Sequence, residues 1–321
     1  MSSFTVPEGP PLRADSFLAR QVPGWSRRTA QRAIAAGAVR RRSHAPGAAH
    51  RVRKGDFANG GEVFDIDEAW LAPQELQPNA ELQLVVVYED ADIVVVDKPA
   101  GVASVALRAD ETGTVANFLL SRWPALAAVG RSSLEAGLLH RLDTNTSGLL
   151  LAAKTMPAYR ELRRQFASQS MVKEYLAVVH GDVPAAGWVT TPIAHDRRRR
   201  ARMRVVGDAG GGRVASTRFE PATRRGHHEQ PRSDQGARGR ASLYSLLKVR
   251  ISTGVMHQIR VHLASIGHPV VGDRLYGSTL ALAADRHLLH ASRLAFTHPR
   301  SGEPIEVQSP PPGDFDEFTG A

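Results

Sequence analysis

Residues 138–155 have the sequence "LLHRLDTNTSGLLLAAKT", and this segment gives the clearest indication of the fold. Two apolar runs, 138–139 and 149–153, are typical of buried strand, while polar residues and one glycine lie between them. Asp143 therefore stands between two segments that favour burial, where an unpaired carboxylate is costly. Either this segment is an ordinary Asx turn, or Asp143 is held there for chemistry.

The flanking sequence predicts strands and helices in mixed order. β-rich runs indicate strands, and apolar residues at helical spacing indicate helices. The predicted strands are 84–90, 92–102, 171–181 and 242–253, and the predicted helices are 156–169 and 257–267. Because these elements do not follow a regular βαβ repeat, we expect an α+β fold with a mixed sheet rather than a doubly wound one.

The N-terminal region differs in composition from the rest of the chain. Residues 12–20 and 26–36 read as two short helices, the second beginning at Ser26 and ending at Gly37. Residues 1–66 hold eleven Lys/Arg and five Asp/Glu, so most of the net charge of +9 lies here. An excess of positive charge favours a polyanionic partner, with nucleic acid the first candidate.

Further segments are assigned by composition. We expect tails at 1–10 and 311–321, a linker at 67–83 and a flexible, solvated insertion at 222–240. The sequence has no cysteine, no long apolar window and no secretory signal, which is compatible with a cytoplasmic protein without a membrane span. Phosphate-loop and nucleophile-elbow motifs are absent from the sequence, and its histidines lack metal-ligand spacing, so no metal is expected.

Five blocks of sequence, in order, resemble the RluA-type RNA pseudouridine synthases. They are "VVYEDADIVVVDKPAGV" (86–102), "HRLDTNTSGLLLAAK" (140–154), "KEYLAVVHG" (173–181), "HQIRVHLASIGHPVVGDRLYG" (257–277) and "LLHASRLAFTHPRSGEPIEV" (288–307). The resemblance covers roughly residues 84–310. It implies a largely antiparallel catalytic domain with a central active-site cleft. Residues 11–66 more loosely resemble the small α/β S4 RNA-binding domain.

The resemblance implies roles for particular residues. Asp143 would be the catalytic carboxylate, Arg260 the cation that keeps it ionised, and Tyr175 the aromatic ring that stacks on uracil. Arg141 would fill the gap left by a flipped nucleotide. The residues expected to bind substrate are His140, Arg141, Lys173, His257 and Gln258. The residues expected to bind RNA through the N-terminal domain are Arg27, Arg28, Arg32, Arg40, Arg41 and Arg42.

The implied reaction needs no cofactor, because pseudouridine is an isomer of uridine. The carboxylate of Asp143 can attack C1′, attack C6 or remove the C2′ proton, and the sequence does not choose among these routes. We expect a monomer that acts on structured RNA, with rRNA favoured over tRNA.

The sequence departs from the family pattern at three places. Thr144-Asn145 follow the signature aspartate, which we expect to matter little because both residues suit a turn. Val255-Met256 replace an Arg-Thr pair, so a basic and a hydroxyl side chain are lost there. The N-terminal region has "VRRRS" (39–43) in place of a Val-Asn-Gly turn, which puts its RNA-binding geometry in question.

Two other functions stay open at this level. A catalytically silent RNA-binding protein needs only positive charge and stacking, so the joint presence of Asp143, Tyr175 and Arg260 argues against it. A hydrolase acting on RNA glycosidic bonds would use Asp143 and His140 and would release free uracil. Taken singly, Tyr175 could also be a core residue, and Arg260 could extend along its helix to the surface.

Overall fold

The computed structural model describes residues 1–42, 49–71, 75–199, 201–207, 210–228, 242–277 and 284–319. The chain divides into two units, Met1–Glu75 and Leu76–Ala321. No helix within these ranges is long and apolar enough to cross a membrane.

The first unit combines helices with a small antiparallel sheet. Its helices are α1 (Ala14–Gln21), α2 (Arg27–Ala36) and α3 (Glu68–Leu71). Its strands are β1 (Ser2–Thr5), β2 (Leu12–Arg13), β3 (Val39–Arg42), β4 (His50–Arg51), β5 (Phe57–Ala58) and β6 (Val63–Ile66). Four strands form a sheet in the order β1-β6-β3-β4, and β2 pairs with β5.

Local sequence explains where α2 begins and ends. The Oγ of Ser26 accepts a hydrogen bond from the amide of Thr29, which satisfies one free donor of the first turn. Gly37 ends the helix with a φ of 79°, a left-handed conformation that favours glycine. Both ends agree with the prediction, and the apolar stripe that includes Ile34 is buried.

One predicted boundary in this region is wrong, since residues 1–10 are not a tail: β1 pairs with β6 along its whole length. The two units divide at 75/76, inside the predicted linker 67–83. Parts of that segment are nevertheless packed, because Trp70 lies against the core of the first unit and Leu76 is buried in the core of the second. These contacts join segments far apart in sequence, so the polar composition of the segments does not reveal them.

The second unit is built on one large sheet. Its strands are β7 (Val85–Glu89), β8 (Ile93–Lys98), β9 (Ser147–Ala153), β10 (Val172–His180), β11 (Gly187–Val189), β14 (Thr217–His228), β15 (Ser242–Ile251), β16 (Leu289–Thr297) and β17 (Pro304–Gln308). The order is β11-β14-β15-β10-β16-β9-β8-β7, and β17 also pairs with β16. A separate hairpin is formed by β12 (Ile193–His195) and β13 (Met203–Val205).

Helices cover this sheet and complete its core. They are α4 (Val115–Arg122), α5 (Met156–Ala167), α6 (Gln258–Ser265) and α7 (Asp316–Thr319). All strand pairs of the sheet are antiparallel except β9 with β16. The predicted α+β class with a mixed, largely antiparallel sheet is confirmed.

The central strand β9 accounts for the apolar run after Asp143. Each of its seven residues is buried, because neighbouring strands lie on both sides and helices cover it. Gly148 is needed where β9 meets β16, since a Cβ there would lie 2.3 Å from the carbonyl oxygen of Ala291. This close approach brings the turn that carries Asp143 to the middle of the sheet.

Two further predictions differ from the structure. The sequence places a loop from residue 222, but β14 continues to His228 and pairs there with Ser242; residues 229–240 lie outside the described residues. The predicted tail at 311–321 contains a 3₁₀ turn and α7, with Phe315 fully buried. A run rich in arginine and histidine does not show strand periodicity, so the sequence does not predict the extension of β14.

Candidate active site

The turn that carries Asp143 is held in place by a buried lysine. The Nζ of Lys98 donates hydrogen bonds to the carbonyl oxygens of Pro99, Val102 and Thr144, at 2.9, 2.7 and 2.9 Å. Lys98 is fully buried, and this burial lowers its pKa to about 7. Because only the backbone of Thr144 takes part, the structure agrees with the expectation that residue identity matters little there.

Asp143 is anchored at one oxygen. Its Oδ2 accepts a hydrogen bond of 2.7 Å from Nη1 of Arg260, which lies on α6. Arg260 in turn donates from Nε and Nη2 to both oxygens of Asp273, at 2.7 and 2.9 Å. Among the described residues, no hydrogen bond reaches Oδ1 of Asp143. One oxygen is therefore fixed while the other stays available for chemistry.

Charge pairing explains why this buried guanidinium stays ionised. Burial alone would lower the pKa of Arg260, but hydrogen bonds and charge from Asp273, with a further contribution from Asp143, raise it. Burial would likewise raise the pKa of Asp273, and the hydrogen bonds from Arg260 lower it instead. Arg260 thus provides the cation that the sequence assigned to Asp143, and it does not extend to the surface.

Tyr175 and His257 complete the immediate surroundings. Burial raises the pKa of Tyr175, and the negative charge of Asp143 adds to this effect, so the phenol is neutral. The Nε2 of His257 lies 3.9 Å from Oδ2 of Asp143, and its Nδ1 lies 3.0 Å from the hydroxyl of Tyr276. The backbone of His257 is left-handed, with a φ of 57°, which is unusual for a residue other than glycine.

The tautomer of His257 follows from its neighbours. The amide of Met203 donates to the hydroxyl of Tyr276 at 2.8 Å. Within the described ranges, the hydroxyl hydrogen of Tyr276 has no acceptor other than Nδ1 of His257. His257 then carries its hydrogen on Nε2, on the side of Asp143. Burial lowers the pKa of His257, which keeps the ring neutral.

Asp143, Tyr175, His257 and Arg260 line a cleft of about 540 Å³. That volume falls within the usual range for a bound small molecule or nucleotide. The side chains of Arg141, Arg163, Lys173, Arg213 and Arg260 line it, together with Asp143. Asp143 is the one carboxylate of the lining that the described residues provide. A cleft with five cationic side chains around one carboxylate suits a polyanion.

The other predicted substrate-binding residues have different surroundings. His140 accepts a hydrogen bond from the amide of Leu151, and burial lowers its pKa to about 3, so it is a neutral acceptor. Lys173 is buried against Phe166. Arg141 is exposed, with its Nη2 4.0 Å from Sδ of Met256.

Gln258, predicted to bind substrate, lines the cleft with its side-chain amide engaged within the protein. Its amide oxygen accepts from Thr253 and from the amide of Val255, and its amide nitrogen donates to Ser216 and Thr217. No group of this buried side chain is left for a substrate. Gln258 instead supports the loop before α6. In the same loop Val255 is buried in an apolar cluster, which accounts for one of the two departures from the family pattern there.

Sequence reasoning missed several residues of the site. Lys98, Asp273 and Tyr276 lie within the quoted blocks, but only the fold shows what they contact. Arg163 and Arg213 lie outside those blocks, and no local signal marks them. In the hairpin β12–β13, Arg202 lies over the ring of Tyr276 at 5.4 Å.

The basic residues of the first unit are partly neutralised. Arg27 pairs with Asp15 at 3.2 Å, Arg41 with Glu62 at 3.8 Å and Arg42 with Asp65 at 2.6 Å. Arg28, Arg32 and Arg40 have no ion pair with any described residue. Only half of the predicted RNA-binding set therefore has its charge free.

One group of side chains has the composition of a metal site. Asp90, Asp92 and His298 place ligand atoms within 4.8 Å of one another. His298 already pairs with Asp90 at 3.0 Å, and Arg300 pairs with Asp92 at 2.6 Å. The His298 ring and the Arg300 guanidinium thus each contact one of these carboxylates, and we assign this group to the stability of the β7–β8 connection.

A cleft with this excess of cationic side chains, on this fold, is typical of an enzyme that acts on nucleic acid. The family model described as RNA pseudouridylate synthase matches residues 92–265, more than half of the chain. The chain belongs to this family, and to its RluA type. It is an RNA pseudouridine synthase, an isomerase that converts uridine in RNA to pseudouridine, as the sequence predicted.

Individual relatives support the assignment. Ribosomal large subunit pseudouridine synthase D of Xanthomonas campestris is 35% identical over 322 residues, covering 96% of this chain and 88% of the relative. An uncharacterized RNA pseudouridine synthase of Chloroflexus aurantiacus is 40% identical over 304 residues, covering 94% and 87%. The structure of human RNA pseudouridylate synthase domain containing 1 is 27% identical, with a TM-score of 0.56, and the match covers 74% of this chain and 87% of that one.

Proposed function

We propose that this enzyme isomerises uridines of large-subunit rRNA and that Asp143 is its catalytic carboxylate. The observation that carries the catalytic assignment is the anchored Oδ2 and unbonded Oδ1 of Asp143, in a cleft whose other charged side chains are cationic. The names of the bacterial relatives support rRNA as the substrate. Such a substrate would place the enzyme in the cytoplasm.

The geometry fits each of the three chemical routes. The N1–C1′ bond breaks, the uracil turns, and a C5–C1′ bond forms, while C5 loses a proton and N1 gains one. Oδ1 of Asp143 is the oxygen that would attack C1′ or C6, or take the C2′ proton. Arg260 holds the carboxylate in a fixed direction through its ion pair with Oδ2, so Oδ1 would face the nucleotide without reorganisation.

Neighbouring side chains would position the nucleotide. The neutral ring of Tyr175 would stack on the uracil, and the exposed Arg141 would occupy the space that the flipped nucleotide leaves in the RNA. The N-terminal unit would bind RNA as an S4-like domain, mainly through Arg28, Arg32 and Arg40. We expect the enzyme to act as a monomer without a cofactor, because the reaction needs no redox partner or group donor.

The test replaces Asp143 by Asn, which keeps the shape and removes the charge. Release of tritium from C5-labelled uridine in rRNA should fall by at least about 10³-fold, with RNA affinity nearly unchanged. The control is Asp110→Asn, at an exposed ion pair with Arg108, which should keep full activity. Appreciable turnover by Asp143→Asn would remove this residue from the mechanism, and free uracil among the products would identify a hydrolase instead.

A further inference from the structure

Two cations of the cleft, the buried Lys173 and the half-buried Arg163, have few partners among the described residues. Lys173 is only 6% exposed, and its Nζ makes a single long hydrogen bond, 3.4 Å, to the carbonyl oxygen of Thr253. It lies over the ring of Phe166 at 5.2 Å. Lys98, which is buried to a similar degree, has three acceptors within 2.9 Å. The ammonium group of Lys173 therefore has fewer hydrogen-bond acceptors than that of Lys98.

Arg163 shows the same deficiency. It lies on α5 and donates one hydrogen bond, from Nη1 to the carbonyl oxygen of Leu139 at 3.0 Å. Its Nε is buried without any acceptor. Neither Arg163 nor Lys173 forms an ion pair within the part of the chain that the structure describes. By contrast, Arg260 in the same cleft has two carboxylates.

The unpaired cations share one region of the cleft. Arg163, Phe166 and Lys173 all line it, and Phe166 follows Arg163 by three residues on the same helix face. Burial alone lowers the pKa of Lys173 to about 8, with no carboxylate to oppose it. A buried charge without a partner is destabilising, and a bound anion would offset that cost. None of the described carboxylates pairs with these two cations, so a bound negative group would supply the missing partner.

We propose that Lys173 and Arg163 form a subsite for a backbone phosphate of the RNA strand that carries the target uridine. The inference rests on the proposed function, since it takes the nucleotide to lie at Asp143. The two cations supply donors for the phosphate oxygens, and the ring of Phe166 lies beside the lysine Nζ. The subsite therefore holds the strand through its phosphodiester, independently of base identity.

The first test measures affinity and stability together. Lys173→Met and Arg163→Met keep side-chain volume and remove charge, and Arg160→Met changes an exposed arginine on the same helix as a control. The probe is a labelled decauridylate. We expect the two cleft variants to bind it about tenfold more weakly, with a salt slope shallower by about one, while Arg160→Met binds as the wild type does. The melting temperature of Lys173→Met should not fall. Unchanged affinity, or a loss of affinity that only follows unfolding, would overturn the proposal.

The second test asks whether the phosphate is the group that is bound. The same proteins are compared on a decauridylate with uncharged methylphosphonate linkages. The difference between wild type and Lys173→Met should vanish on this probe, because the negative charge is gone. A difference that persists would show that Lys173 contacts another part of the nucleotide. Stabilisation by inorganic phosphate without any effect on decauridylate would mark a free-anion site and would also overturn the proposal.

These measurements remain separate from the test of the catalytic carboxylate, because binding requires no turnover. If Asp143→Asn stayed active, the proposed mechanism would fail while the affinity comparison stood. If Asp143→Asn were inactive and Lys173→Met bound both probes as the wild type does, only the subsite would fail.

Discussion

At the scale of single residues, the site depends on partners that the motifs do not identify. Resemblance indicates Asp143, Tyr175 and Arg260, but not Asp273, which lies 13 residues beyond Arg260 and meets it only through the fold. Asp273 also accepts hydrogen bonds from the amides of Leu275 and Tyr276. It therefore orients both the guanidinium that holds Asp143 and the backbone that carries the Tyr276 ring.

Replacement of Asp273 by Asn should impair the positioning of Arg260 without weakening the binding of substrate. One bidentate ion pair is lost, so Arg260 keeps its charge but not its fixed direction. We expect kcat to fall by about 10–100-fold with little change in KM, and the free energy of unfolding to fall by about 3–5 kcal/mol. Asp285→Asn, at an exposed position, is the control. Normal kcat in a destabilised Asp273→Asn variant would show that the direction of Arg260 does not depend on Asp273.

Lys173 gives a prediction for the pH dependence of stability. The folded state binds its proton with a pKa of about 8, whereas the unfolded chain has the ordinary value of 10.5. Between these pH values the unfolded state holds more protons, so the free energy of unfolding rises with pH. Relative to Lys173→Met, the wild type should gain roughly 3 kcal/mol between pH 7.5 and 10.5. Urea unfolding at several pH values measures this, and parallel curves would contradict the assigned burial of the charge.

At the scale of elements, local signals predict those helices and strands whose ends are marked in the sequence. The predicted helix 156–169 corresponds to α5, and 257–267 contains α6, since caps and apolar spacing are local properties. β1 and the end of β14 could not be predicted, because each is a polar segment that becomes a strand through a distant partner. The pairing of β9 with β16 is likewise absent from the sequence pattern.

A substitution at Gly148 tests the pairing of β9 with β16 directly. Its φ is 111°, and a Cβ would meet the backbone of Ala291 at 2.3 Å, so Gly148→Ala must push β9 away from β16. We expect a loss of about 2–4 kcal/mol in the free energy of unfolding, together with reduced activity, because the turn of Asp143 moves with β9. Gly113→Ala is the control, since nothing lies within 4 Å of the added carbon. Equal stability of the two variants in urea would show that the strands adjust without cost.

At the scale of the whole molecule, the two units have separate apolar cores. The core of the first unit includes Phe17 and Phe64, and that of the second includes Leu149 and Leu263. The sequence predicted two domains, but it placed their boundary in a broad linker. Every catalytic residue that we propose lies in the second unit, whereas residues 1–66 carry most of the net charge. The chemistry is thus assigned to the second unit, whereas electrostatic attraction of RNA is assigned to the first unit as well as to the cations of the cleft.

Removal of residues 1–75 should therefore weaken RNA binding without abolishing isomerisation. The second unit keeps its core, so kcat at saturating rRNA should stay within about threefold of the full chain. The slope of log affinity against log salt should become shallower by about three, one for each arginine of the predicted RNA-binding set that has no ion pair with a described residue, namely Arg28, Arg32 and Arg40. The full chain with these three residues changed to Gln should show the same slope as the truncated protein. Changing the ion-paired Arg27, Arg41 and Arg42 instead should alter the slope less. Equal slopes for the full and truncated proteins would mean that the N-terminal arginines do not touch RNA, and the S4 resemblance would then concern structure alone.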